Sequence, residues 1–115
     1  MTLEFEQLDR NLVVKLKGEL DHHSAEIVRE KIDRSIDRGG IKNLIFDCSK
    51  MDFMDSSGLG VMMGRFKKLK SMGGQVVISG INPNIDRVFK LSGIYKIISK
   101  YENLEKAIEK LGEGK

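Results

Sequence analysis

Met54-Asp55-Ser56-Ser57-Gly58-Leu59-Gly60-Val61 stands between two different periodicities. Upstream, Leu44-Ile45-Phe46 within Ile41–Cys48 reads as a strand buried on both faces. Downstream, Leu59, Met62, Met63, Phe66 and Leu69 recur at three- and four-residue steps, which predicts an amphipathic helix ending near Gly73-Gly74. Two hydroxyls behind a carboxylate therefore sit at a helix start. The first turn of a helix carries unpaired N–H groups and the positive end of the dipole, so a phosphate there is favoured. The same residues also make an ordinary cap, since Asp and Ser are preferred N-cap residues. The two readings are compatible.

Working outward, Thr2–Leu8 and Leu12–Lys17 alternate across polar Asp9-Arg10-Asn11, which predicts a β-hairpin. Asp21 is expected to cap a helix carrying Ala25, Val28, Ile32 and Ile36, stopped by Gly39-Gly40. A helix between two strands implies a crossover and parallel pairing. Gln75–Ser79 is the next strand, and Asn82-Pro83 starts a helix that Gly93 ends. Lys96–Ser99 suggests a short edge strand. Leu104, Ala107, Ile108 and Leu111 mark a last helix closed by Gly112, with Glu113-Gly114-Lys115 expected to fray. The expectation is one α/β domain over residues 1–115, with a mixed four- to five-stranded sheet and about four helices.

Composition excludes several classes. With 115 residues, 40% hydrophobic and 32% charged, the chain suits a folded domain with a real core. The net charge of +3 is spread out, with no basic stripe and no Trp, which argues against nucleic-acid binding. No run of about 18 apolar residues suggests a membrane span, and the acidic N-terminus is no signal peptide. A single cysteine precludes an internal disulfide and suits the cytoplasm.

Enzyme constellations are missing. His22 and His23 are adjacent, so on a helix they diverge by about 100° and do not share a metal. They read as polar residues of a helix first turn, or as part of a contact surface. Cys48 reads as a small core residue, and no phosphate-cradling loop follows it. Neither Ser56 nor Ser57 lies in a Gly-x-Ser-x-Gly elbow. There is no Walker loop, and Gly58-Leu59-Gly60 alone is too weak for nucleotide binding. No catalytic residue, metal site or cofactor is expected. Gly58, Gly60 and Gly64 each cost about 1 kcal/mol relative to Ala inside a helix. Close packing within the fold and close approach of a partner both account for them. The basic residues beyond them, Lys67, Lys68 and Lys70, read as a solvated face.

Gly18-Glu19-Leu20-Asp21-His22-His23-Ser24-Ala25-Glu26 and Phe53–Val61, followed by Gly73-Gly74, resemble the STAS domain family. Within it the likeness is to antagonists of anti-sigma factors from spore-forming bacteria, and it extends through Asn82-Pro83 and Leu91-Ser92-Gly93. The resemblance implies a protein-binding switch rather than an enzyme. The unphosphorylated antagonist would bind an anti-sigma factor that is also a serine kinase, and release the sporulation sigma factor. The resemblance places phosphorylation on the second serine, Ser57; the residues alone do not choose between Ser56 and Ser57. A PP2C-type phosphatase would reverse it. Partner contacts are expected from Asp21, His22, His23, Asp55, Ser56, Ser57, Gly58, Leu59 and Gly60. Ser57 phosphate at the helix start would block the partner by bulk and charge with little refolding. A general-stress antagonist and a small nucleotide- or ligand-binding domain are the alternatives.

Overall fold

A computed structural model describes residues 1–113; the expected fraying of Gly114 and Lys115 lies outside the described residues. Strands β1 (Thr2–Leu8), β2 (Asn11–Leu20), β3 (Asn43–Met54), β4 (Val76–Ser79) and β5 (Ser99–Tyr101) form one sheet in that order. β1 pairs antiparallel with β2, and the other neighbours are parallel. Helices α1 (Ala25–Gly39), α2 (Ser56–Ser71) and α3 (Pro83–Ser92) cover one face, and α4 (Leu104–Glu113) covers part of the other.

Strand alternation builds the two layers. Leu12, Val14 and Leu16 of β2 and Leu44, Phe46 and Cys48 of β3 meet Val28, Ile32 and Ile36 of α1 and Met62 and Leu69 of α2. Val13, Ile45 and Val77 point the other way, onto Ala107 and Leu111. Between α1 and α2, Arg65 Nε lies 2.9 Å from Asp33 Oδ1, and Lys68 reaches Asp33 and Asp37. Burial holds the Arg65 guanidinium below its ordinary pKa, against the opposing pull of Asp33. Lys68 is thus paired rather than simply solvated.

Several boundaries differ from expectation. The hairpin turn is two residues, Asp9-Arg10, with Asp9 left-handed (φ 57°), and Asn11 already pairs with Leu8. β2 continues to Leu20. β3 continues from Cys48 to Met54 through two bulges, so its 12 residues run beside the 10 of β2. The bulges hide the strand from a period-two reading, because Met51 and Met54 are buried three apart. The edge strand is Ser99–Tyr101, since Ile94–Lys96 forms a 3₁₀ turn. α4 runs past Gly112 to Glu113. The net result is that the parallel strands β2 and β3 end in register, Leu20 opposite Met54, and their following loops emerge side by side.

Candidate functional site

The loop after β3 is one residue long. Asp55 has an extended backbone (φ −112°, ψ −170°) and is the N-cap of α2, as the sequence predicts. Its Oδ1 accepts from the Ser57 N–H at 2.8 Å, and its carbonyl accepts from the Gly58 and Leu59 N–H groups at 3.0 and 3.3 Å. Asp55 thus takes up the N–H groups of Ser57, Gly58 and Leu59. Its second carboxylate oxygen, Oδ2, accepts from the His22 N–H at 3.2 Å, across to the neighbouring loop.

That neighbouring loop corrects the expected cap. α1 begins at Ala25 with Ser24 in the N-cap position, and Asp21 organises a separate turn before it. Asp21 Oδ1 accepts from the His23 and Ser24 N–H groups at 3.0 and 3.1 Å. The Ser24 N–H bond, its hydroxyl and the His23 N–H hold the Asp21 carboxyl below the usual carboxylate range, against partial desolvation. Ser24, to which the sequence reading gives no role, braces the turn: its Oγ accepts from the Asp21 N–H at 3.0 Å and donates to the Glu19 carbonyl at 3.1 Å. An Asp three residues before a Ser is the local signal for such a turn. His22 and His23 thus sit on this turn and not in a helix, with their rings 5.9 Å apart and nearly edge-to-face.

The structure brings Asp21, His22 and His23 beside Asp55 through the single Asp55–His22 bond and the Asp55 N–H to Leu20 carbonyl bond of 3.3 Å. Ser56 is exposed and Ser57 half-buried, and neither hydroxyl has a hydrogen-bond partner among the described residues. The glycines divide into two kinds. A Cβ on Gly58 would overlap the Met54 side chain, 2.8 Å from its Sδ, and approach Leu20 Cγ at 3.0 Å, so Gly58 serves the internal packing of α2 on β2 and β3. At Gly60 and Gly64 a Cβ would meet nothing within 4 Å. Close packing within the fold does not explain those two. Leu59 packs partly against the core, which leaves Ser56, Gly60 and Gly64 on the open side of α2. Phe53, just before the motif, is also exposed.

Cys48 is fully buried, and desolvation followed by the nearby Asp47 charge pushes its thiol pKa far up, the opposite of a nucleophile. Among the described residues no group of three or more His, Cys, Asp and Glu side chains is placed to hold a metal. No helix of the described residues is long and apolar enough to cross a membrane.

A mixed sheet with a one-residue β3–α2 loop, the β2–α1 turn beside it and an Asp-Ser-Ser-Gly start to α2 define a class of small α/β domain. The chain belongs to the STAS domain family, whose model matches residues 2–107. It is 37% identical over 111 residues to an anti-sigma F factor antagonist from Paenibacillus polymyxa, covering 96% of this chain and 95% of that one. Its structure is similar to that of the anti-sigma factor antagonist SpoIIAA in its unphosphorylated form, with a TM-score of 0.77 at 28% identity, over 99% of this chain and 100% of that one. It is also similar to the phosphorylated form of the Bacillus cell fate determinant SpoIIAA, with a TM-score of 0.74 at 32% identity, over 95% and 98% of the two chains.

Proposed function

We propose that residues 1–115 act as one STAS domain and that this chain is an anti-sigma factor antagonist. Unmodified, it binds an anti-sigma factor that is also a serine kinase, and so frees the sporulation sigma factor. Phosphorylation of Ser57 switches the binding off, and a PP2C-type phosphatase restores it. The chain is the substrate of both enzymes and not itself an enzyme, and it works in the cytoplasm, where ATP and the transcription machinery are.

The observation that carries this reading is the bare flank of α2. Gly60 and Gly64 have room for a side chain that the fold leaves unused, next to two unpartnered serine hydroxyls. A helix that forgoes about 1 kcal/mol at each of two open positions gains nothing inside the domain, so the benefit lies in close approach of another protein. The contact surface then comprises Ser56, Ser57, Gly58, Leu59 and Gly60, with Asp21, His22 and His23 on the adjoining turn and Asp55 between them. A phosphate adds about −1.5 to −2 charges at neutral pH. Asp55 caps the first turn, and the Ser57 hydroxyl beside it has no hydrogen-bond partner among the described residues, so a phosphate there changes the charge of the surface without breaking an existing side-chain bond. It blocks the partner by bulk and charge while the core stays as it is.

Titration calorimetry tests the reading. Unmodified protein and protein phosphorylated on Ser57 are titrated into the anti-sigma F factor and, in parallel, into a general-stress anti-sigma factor. Tight binding of the unmodified form to the first, weakened about a hundredfold or more by the phosphate, is the expected result. Preference for the second factor would move the chain to the stress pathway, and equal binding of both forms would overturn the switch.

A further inference from the structure

We propose that Asn82 is a positioning residue for the serine switch: one end of its side-chain amide caps α3, and the other holds the end of β3 from which the serine motif springs. This rests on the functional reading above, which makes the start of α2 the modified and partner-facing segment.

β4 is much shorter than the strand it pairs with. Their register runs from Leu44 opposite Val76 to Asp47 opposite Ser79 and stops there, whereas β3 continues to Met54 with β2 as its strand neighbour. Both bulges fall in this overhang. A bulged ladder of two strands fixes a strand end less firmly than a regular one with neighbours on both sides. The chain leaving β4 stands in for the missing strand. Gly80, left-handed at φ 64°, passes so close to β3 that a Cβ would come within 2.9 Å of the Ser49 Cβ and 3.0 Å of Asp47 Oδ1. Two residues on, Asn82 Nδ2 donates to the Met51 carbonyl at 2.6 Å, and Oδ1 of the same amide accepts from the Ile85 N–H at 3.0 Å. A planar amide engaged at both ends sets the spacing between the first turn of α3 and the end of β3. Met51 and Met54 are buried, and Asp55 caps α2 directly after Met54. The place of Met51 therefore carries over to Asp55 and the two serines. Aspartate caps a helix as well as asparagine does, but it has no N–H to give, so the bond to Met51 is what the amide adds.

The test compares full-length wild type, Asn82→Asp and Asn82→Ala. The first variant keeps the acceptor for Ile85 and loses the donor to Met51; the second loses both. Backbone resonances and amide exchange are read by NMR without a partner, and kcat/KM for phosphorylation is measured with the serine-kinase anti-sigma factor and ATP. Asn82→Asp should shift the resonances from Met51 through Ser57 and lower kcat/KM about threefold to tenfold, the weight of one hydrogen bond. Its thermal midpoint and the protection of the Ile85 amide should stay close to wild type. Asn82→Ala should show the same loss in kcat/KM together with faster Ile85 exchange and a lower midpoint. Wild-type resonances at Asp55–Ser57 and a wild-type rate in Asn82→Asp, with only Asn82→Ala impaired, would overturn the proposal, because Asn82 would then serve as a cap alone. Loss of Ile85 protection in Asn82→Asp, with shifts throughout the core, would overturn it as well. A wild-type protein that the kinase leaves unmodified would end the functional reading, while the resonances of Asp55–Ser57 would still decide whether Asn82 positions them.

Discussion

Asp55 and Asp86 both join separate elements, but through different chemistry. Asp86 of α3 accepts from the Tyr95 hydroxyl at 2.6 Å and from Lys100 and Lys90 ammonium groups at 3.0 and 3.1 Å. Lys100 also lies over the Tyr95 ring, 4.6 Å from its centre. The Tyr95 hydroxyl first, then the two lysines, hold the Asp86 carboxyl far below its ordinary value, and burial together with Asp86 pushes the Tyr95 hydroxyl far up. Asp55 holds only backbone N–H groups and stands beside unpartnered serines. A carboxylate neutralised by side-chain cations fixes α3, the 3₁₀ turn and β5 together. Asp55, held by backbone N–H groups alone, leaves the serine end of α2 without the side-chain ion pairs that fix the other region.

The largest expected effect separates these two regions directly. Phosphate on Ser57 should weaken anti-sigma factor binding about a hundredfold or more and leave the thermal midpoint nearly unchanged, as calorimetry and thermal melts would show. Asp86→Asn should do the reverse, lowering stability by about 2 kcal/mol in urea denaturation at neutral pH with no change in partner affinity. Because the folded-state pKa of Asp86 lies below the unfolded one, its stabilisation is fully present above about pH 4 and is lost as pH falls further. The difference between wild type and Asp86→Asn should narrow below that pH. A constant difference would break the comparison.

The glycines sharpen it on a smaller scale. Gly58→Ala should destabilise the fold by about 1–3 kcal/mol, because its Cβ has to displace the buried Met54 and Leu20 side chains. Gly60→Ala should stabilise it by up to about 1 kcal/mol and still weaken partner binding. Denaturation and binding measured on the same two variants would show opposite signs for stability. If Gly60→Ala leaves binding untouched, the open flank of α2 is not a contact surface.

Much of this was legible in the residues. The α2 cap at Asp55, the Asn82-Pro83 helix start and the parallel β3–β4 pairing follow from turn chemistry and periodicity, and the structure has all three. The end of β3 was not legible, since two bulges replace alternation with buried Met51 and Met54 among exposed neighbours. Asp21 was placed on α1 because an Asp before a helical pattern reads as its cap; only the hydrogen bonds show that it closes its own turn, four residues before Ala25. The sorting of Gly58 from Gly60 and Gly64 was also beyond the sequence, because a glycine carries no record of whether its bare face meets the core or solvent. Nor does spacing along the chain reveal that Asp55 reaches His22, 33 residues away.

The central claim is that Ser57 is the switch. Wild-type, Ser56→Ala and Ser57→Ala proteins would each be incubated with the serine-kinase anti-sigma factor and ATP, then read by intact and peptide mass spectrometry. The expected result is one added phosphate on wild type and on Ser56→Ala, located at Ser57, and none on Ser57→Ala. A folded wild-type protein that stays unmodified, or a phosphate that persists in Ser57→Ala, would contradict it.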